Sequence, residues 1–577
     1  MTVKNNIRCF PLMHPQLSAA LLALCPVLAQ AQAVPAVTPS AGSILQQIQT
    51  PGTSPTQSPS ISTPKLSDPG ASGATESPTS GVPFMVSRID IVGNTLFDTA
   101  TLQALVAPAL GKKLSVSELT AQVGRITEYY QKNGYTWTRA IIPSQAITEG
   151  VVRVQVIEAS YDKIVINNKS EVSDSLVQGT MATLQNGDLI DSERLNSSLL
   201  KLSDIPGLLV DATLTKGETV LGTSTLVINV NPGPAMLADV AVDNYGNDYT
   251  GQARIGGTVN VINPLHYGDV LSATLLTSGT GMNYGRLGYE SLINGQGSRM
   301  GASYSALRYV LGKSLEPLNA HGTARVASVW LKHPLLRSQE RNINGHIQYD
   351  NLNLRDHIDA NLIQNDRQAS TLTATLSGDV RDRFDGMSVW SASWTGGRID
   401  FDNASAQLSD SATAKTGGSF AKLNLNLSRM QRINTKNSIY LSYAGQWSDS
   451  NLDASQKLTA GGVYTVRAYN MGAVSGDSGY VGTAEWRYDL DRALSGSVAS
   501  QLVAFVDHAH LTLNKAPWLV GPNGVTMSGY GAGFNFSGMD QWKARVYVTG
   551  RLGAVPQLLA NTSSTRAWIE ISKAFSQ

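Results

Sequence analysis

From Pro234 to its end the chain alternates. Segments of about ten residues, such as LADVAVDNYG, ARIGGTVNVI, DVLSATLLTS, NGHIQYDN and STLTATLSG, set small or polar side chains on one parity. Leu, Val, Ile, Ala or aromatic side chains fill the other, and Gly, Asn and Asp turns separate the segments. Sixteen segments follow this rule, and none is the roughly 20-residue apolar run of a membrane helix. A soluble sandwich or solenoid shares the period of two. It could not bury Lys422, Asn424, Asn426 and Arg429 along one strand, whereas a water-filled lumen can. The even count, and lengths near the roughly 9–11 residues of a membrane-crossing strand, point the same way. Residues 235–577 therefore read as an all-β transmembrane barrel of sixteen antiparallel strands. Trp394, Tyr440, Trp447, Trp486, Tyr488, Tyr547 and Trp568 fall toward segment ends.

Ahead of the barrel, residues 84–233 contain an internal repeat. VSRIDIVGN is answered by YDKIVINNK, KKLSVSELTAQVGRI by GDLIDSERLNSSLLKL, and EGVVRVQVIEA by GTSTLVINVNP. Each copy opens on a strand and passes into helical periodicity (Leu119, Val123, Ile126 and Tyr130 in the first). Each closes on two strands, of which TWTRAIIPSQ is one. Ser117 is expected to begin the helix and Gly134 to end it. Two α+β modules of β-α-α-β-β order result, at residues 84–159 and 160–233.

The first 33 residues have the order of an export signal: Lys4 and Arg8, then LSAALLALCPVLA, then AQAQA. Cys9 and Cys25, the only cysteines, lie inside it, so the processed chain has no thiol for catalysis, metal binding or disulfides. A formal charge of +1 gives no hint of nucleic acid. Residues 34–82 are rich in Pro, Ser, Thr and Gly, as a linker is. One island, at about 41–50, places Ile44, Leu45 and Ile48 on a single helical face. A helix that short is marginal by itself, so it is either docked or unfolded.

One loop stands apart. LTAGGVYTVRAYNMGAVSGDSGYVG carries Arg467 at its centre and joins strands eleven and twelve. With the modules on the periplasmic side, this loop starts at the outer face, where its guanidinium could simply be solvated. Strand thirteen, LVAFVDHAH, puts Asp507 in line with Gln501, Val503 and Phe505 and opposite Leu502, Ala504 and Val506. The aliphatic parity faces lipid, which turns Asp507 into the lumen. If the loop folds inward, a lumenal carboxylate can take the fork of an arginine.

At these residues the chain resembles the two-partner secretion transporters, the outer-membrane exporters of haemolysins and filamentous haemagglutinin-like adhesins. The resemblance spans the amino-terminal helix and linker, paired POTRA modules, DNYGNDYTGQARIGGTVNVINPLHYGD at the first hairpin, and VRAYNMGAVSGDSG in the loop. It implies that the sixth extracellular loop folds into the lumen and that Val466, Arg467 and Tyr469 meet Phe505 and Asp507. Ala468 and Ala509 stand where the family has glycine, and Ser576 and Gln577 follow Phe575, where an aromatic residue usually ends the chain. The resemblance further implies a bacterial outer-membrane protein, monomeric among lipids, that moves one large β-rich partner protein from periplasm to cell surface. POTRA domains in the periplasm would capture that partner unfolded, and Ile44, Leu45 and Ile48 would belong to a lumen plug.

Other classes fit less well. LGKK lacks the glycine and the Ser or Thr of a phosphate loop, so no nucleotide or other cofactor is expected. An enzyme would need catalytic side chains lining a strand. His508 and His510, two residues apart on the lipid parity, are too few ligands for a metal. An insertase that assembles outer-membrane proteins is the remaining alternative.

Overall fold

The computed structural model describes residues 38–49, 66–67, 82–218, 222–490, 498–559 and 563–577. The proposed export signal and most of the linker lie outside these residues.

The first module places helices Thr99–Val106 and Val116–Lys132 on a three-stranded sheet of Arg88–Val92, Val151–Ile157 and Arg139–Ile141, with Val151–Ile157 central. Leu119, Val123, Ile126 and Tyr130 are the helix positions that meet the sheet, all buried. The longer helix starts one turn-fraction earlier than the sequence suggested. Ser115, not Ser117, is its cap, because only Ser115 has a glutamate three positions on to close a capping box with Glu118. Gly134, at φ 93°, ends it as expected. The second module repeats the order with Ser160–Asn168, helices Asp174–Met181 and Ser192–Ser203, then Leu208–Lys216 and Thr223–Pro232. A short linker strand, Leu66–Ser67, pairs in parallel with Leu208–Lys216 and covers that edge of the sheet.

The remaining chain closes a sixteen-stranded antiparallel barrel, from Met236–Asp243 to Thr565–Ser576. Every strand pairs with its sequence neighbours, and the last closes on the first. The two residues after Phe575 extend this seam, since Gln577 exchanges main-chain hydrogen bonds with Ala235 and Met236. Asp204 of the second module grips Arg337 through two hydrogen bonds of 2.6 and 2.8 Å, and its carbonyl accepts from Arg299. The turns after even strands therefore share the rim that carries the modules.

Three details differ from the sequence reading. The sixth to eighth strands, Ala320–Arg337, Arg341–Ile358 and Ile363–Arg381, are 18 or 19 residues long rather than about ten. Arg429 sits on the outward parity near the module rim, bound to Asp382 at 2.7 Å, while Lys422, Asn424 and Asn426 line the lumen as expected. Strand ends leave the hydrocarbon, so a charge is tolerated there on either parity. Of the strand-end aromatics, Trp394, Trp447 and Trp486 face outward, but Tyr440, Tyr547 and Trp568 are buried inside. Among the described residues no helix is long and apolar enough to cross a membrane.

Candidate functional site

Two bodies occupy the lumen: the loop between strands eleven and twelve, and the helix Ala41–Gln49. The loop forms a short hairpin, Leu458–Ala460 against Val474–Gly476, whose tip carries Arg467 to the wall. Arg467 is 4% exposed and Asp507 fully buried, so the pair stands or falls by its hydrogen bonds. Its Nε donates to Asp507 Oδ2 at 2.9 Å and an Nη to Oδ1 at 2.7 Å. The main-chain N–H of Arg467 donates to the same carboxylate at 3.0 Å, and Thr483 adds a hydroxyl at 3.0 Å. The remaining Nη donates to Glu485 at 2.7 Å, which is held in turn by Arg487. Phe505 lies flat under the guanidinium, 3.3 Å from Cζ to the ring centre. The carbonyl of Arg467 accepts from Trp568 Nε1 at 2.7 Å and Thr549 at 3.1 Å. Each of the three guanidinium nitrogens, the main-chain N–H and the carbonyl of this residue thus has a partner.

Val466 and Tyr469 are buried beside the arginine in an apolar cluster with Val481, Leu511 and Met527. All five residues expected from the sequence thus meet. The alanines at 468 and 509 cause no backbone strain, since neither has a positive φ. The close approach has moved to the opposite partner: a Cβ on Gly529, which faces Asp507 in the ladder, would lie 2.5 Å from that of Ala468. The sequence reading missed Glu485, Thr549 and Trp568. Glu485 and Arg487 share the lumenal parity of their strand, which was a usable signal. Nothing local marks Thr549 or Trp568.

The helix Ala41–Gln49 packs Ile44 and Leu45 into a cluster with Tyr284, Leu307, Tyr309, Ala324 and Leu452, and Ile48 lies against it. Its first N–H, on Ala41, donates to Asp356 at 2.6 Å. That carboxylate also receives Tyr309 and Arg367, at 2.6 and 2.7 Å. Arg367, 2% exposed, spans from Asp356 to Asp453 of the loop at 2.5 Å. Helix, wall and loop thus converge on one guanidinium, with a carboxylate at the positive end of the helix. Gly42 rests on the loop so closely that a Cβ would come 2.7 Å from the nitrogen of Ser455. Gln46 also hydrogen-bonds the carbonyl of Ser455. Around both bodies a polar-walled cavity of about 1110 Å³ remains, lined by Thr371, Thr373, Ser391, Asn424 and Asn426 among others.

His508 and His510 share hydrogen bonds with Ser528 and Thr526, each at 2.8 Å. Among the described residues no group of three or more His, Cys, Asp or Glu is placed to hold a metal ion.

Residues 222–536 match the family described as haemolysin secretion/activation protein ShlB/FhaC/HecB, and residues 84–159 match the ShlB-type POTRA domain. The heme/hemopexin transporter protein HuxB of Haemophilus influenzae strain 86-028NP is 26% identical over 85% of this chain and 87% of its own. Outer membrane transporter CdiB of Escherichia coli is 22% identical over 71% of this chain and 69% of its own. In structure, CdiB from Escherichia coli aligns with a TM-score of 0.72 at 20% identity, covering 94% of this chain and 100% of that one. BamA from Haemophilus ducreyi lacking POTRA domains 1-3 shares the fold at a TM-score of 0.51 and 14% identity, over 85% of this chain and 100% of that one.

Proposed function

Because the chain belongs to the haemolysin secretion/activation family of outer-membrane β-barrel transporters with periplasmic POTRA domains, which export large partner proteins, we propose how its parts divide that work. The exported protein is captured unfolded by the modules and passes through the lumen once two internal bodies yield. The loop carrying Val466, Arg467 and Tyr469 is a latch on Phe505 and Asp507. The helix bearing Ile44, Leu45 and Ile48 is a plug. Residues 1–33 are the export signal, 34–82 the plug and linker, 84–159 and 160–233 the POTRA pair, and 235–577 the barrel. The transporter works as a monomer among lipids and catalyses no covalent chemistry. The observation that carries this reading is the doubly filled, polar-walled lumen: a passive pore has no use for a buried arginine holding a loop across it.

Capture rests on strand edges. An extended chain adds main-chain hydrogen bonds to a free edge, and neighbouring apolar grooves choose alternate side chains. In the second module the linker strand Leu66–Ser67 already occupies one such edge. In the first, Arg139–Ile141 is an edge strand packed beside the helix Val116–Lys132, with Ile141 exposed. That edge is the first docking place we assign to the exported chain.

The test is secretion itself. Cells producing the full chain and its partner are expected to release the partner, and cells lacking the transporter to retain it in the periplasm. Retention with normal assembly of other outer-membrane barrels supports export. Loss of those barrels would instead support an insertase.

A further inference from the structure

The three long strands lift a stretch of barrel wall above the apolar belt. On their outward parity, exposed Val329, Leu331, Ile347, Leu372 and Leu376 form that belt. Tyr304 and Tyr349, 52% and 45% exposed, stand at its upper limit, where aromatic side chains mark the boundary between hydrocarbon and head groups. Immediately above come three arginines. Arg308 and Arg355 flank Thr323 in one row of the ladder, and Arg325 lies one outward step lower on the middle strand, opposite Ala306 and Asn353. Neighbouring strands are about 4.8 Å apart, so Arg308 and Arg355 start roughly 10 Å from each other with Arg325 between them. Their inward neighbours Leu307, Tyr309, Ala324 and Leu354 are buried around the plug helix, so these three side chains point away from the lumen.

All three are exposed, and among the described residues none has a hydrogen-bond or ion-pair partner. Asp366, opposite Arg355 in the ladder, bonds His357 at 3.0 Å instead of the arginine, and Asp359 bonds His321 at 3.4 Å. Another outward arginine of this wall, Arg398, has its own carboxylate, Asp400, at 2.8 Å. Three unpaired guanidiniums on adjacent strands, just above the aromatic limit of the belt of an outer-membrane protein, complement a phosphate-bearing lipid surface. We propose that Arg308, Arg325 and Arg355 bind the phosphorylated head groups of outer-leaflet glycolipid and fix the height of this side of the barrel in the membrane. A basic side chain near an anionic lipid surface contributes about fivefold in affinity.

The experiment uses full-length transporter in detergent, stripped of lipid and titrated with rough-type lipopolysaccharide, with binding read by native mass spectrometry. Intact lipid is expected to bind the wild type at least about tenfold tighter than R308Q/R325Q/R355Q. Phosphatase-treated lipid is expected to bind both equally weakly, and R398Q to behave as wild type. Inorganic phosphate at millimolar concentration is expected not to displace the lipid. Each single variant is expected to lose about fivefold, which keeps the test available if the triple variant does not give a heat-resistant folded barrel. Equal binding by the triple variant, equal binding of dephosphorylated lipid, or full displacement by free phosphate would each overturn the assignment. So would unchanged lipid binding with reduced secretion, which would give these arginines to the exported chain.

Discussion

The two bodies in the lumen are held by different physics. The loop adds buried charge to an apolar seat: beside Val466 and Tyr469, one arginine meets two carboxylates and a ring, each within hydrogen-bonding or stacking distance. The helix carries no charged side chain: it is held by burial of Ile44 and Leu45 and by neutral groups, its first N–H on Asp356, Gln46 on the Ser455 carbonyl and Gln47 accepting from Asn247. Burying two such side chains is worth about 3–6 kcal/mol, and breaking one partner from a buried ion pair costs about 3–5 kcal/mol. The strengths are therefore similar and the modes of release are not. An ion pair needs its geometry and fails abruptly when a partner is lost. Apolar contact yields gradually, and an incoming chain with apolar side chains can replace it. Arg367, touching both the loop through Asp453 and the helix through Asp356, is where the two could be coupled.

The largest effect is expected at the latch. R467A and D507A should each cut secretion more than tenfold while the barrel stays inserted, because the pair fixes a loop and the strands it touches are already joined by their own ladder. The double variant should lose less than the sum of the two, since partners in contact couple by about 0.5–3 kcal/mol. R467K should behave like R467A, for an ammonium cannot reproduce the fork to Asp507 and the contact to Glu485 together. Normal secretion by both single variants would show that the ion pair does not hold the loop for transport.

Next in size is the helix. Deleting residues 34–82 is expected to raise single-channel conductance in planar bilayers, and I44D/L45D in the full chain to approach the same value. R367M should give a smaller rise, because it leaves the apolar seat intact. Conductance unaltered by the deletion would show that the helix does not obstruct the pore.

A subtler pair tests the displaced glycine. G529A would bring two Cβ atoms to 2.5 Å, so it is expected to weaken secretion severalfold, and A468G in the same chain to restore it. Rescue by A468G is what distinguishes crowding at the latch from a general defect of the strand.

The smallest effect lies outside the lumen, where a third kind of contact holds the first module together. Glu158 accepts from Tyr130 at 2.6 Å, from the main-chain N–H groups of Thr95 and Leu96, and from the Thr95 hydroxyl. Burial raises its pKa, but these donors outweigh it and hold the carboxyl below its ordinary 4.5. A carboxyl with a lowered folded pKa stabilises above the unfolded value and loses that contribution as pH falls through the folded one. This contribution to the melting temperature of the module is thus expected to be present above pH 4.5 and to be lost below it, and E158Q to make the acid-side decline shallower, leaving the share of Asp98 and Glu118, whose carboxyls are also held low by hydrogen bonds.

Much of this was legible in the chain. Alternation gave the strands and their parity, and parity put Asp507 inside. The repeat gave both modules, and the heptad-like spacing of Leu119, Val123, Ile126 and Tyr130 gave the helix face that is buried. The upper halves of the three long strands escaped notice for a physical reason. Above the hydrocarbon the outward face meets water and the inward face meets the helix and loop through ion pairs as well as apolar contacts, so stretches such as NLRDH and NDRQ carry no simple alternation. Arg367 was hidden in one of them.

What the sequence by itself determined is whatever repeats along the chain, because solvent on one side and lipid or core on the other impose a period on every residue. Only the tertiary structure decided what meets across the lumen. Asp453 with Arg367, Gly529 with Ala468, and Trp568 with the carbonyl of Arg467 lie far apart in sequence or in unpatterned loops. Their pairing follows from closing the barrel, which brings the last strand beside the first and folds a loop back between them. No local period records such a contact, since each residue there answers to a single partner and not to a solvent.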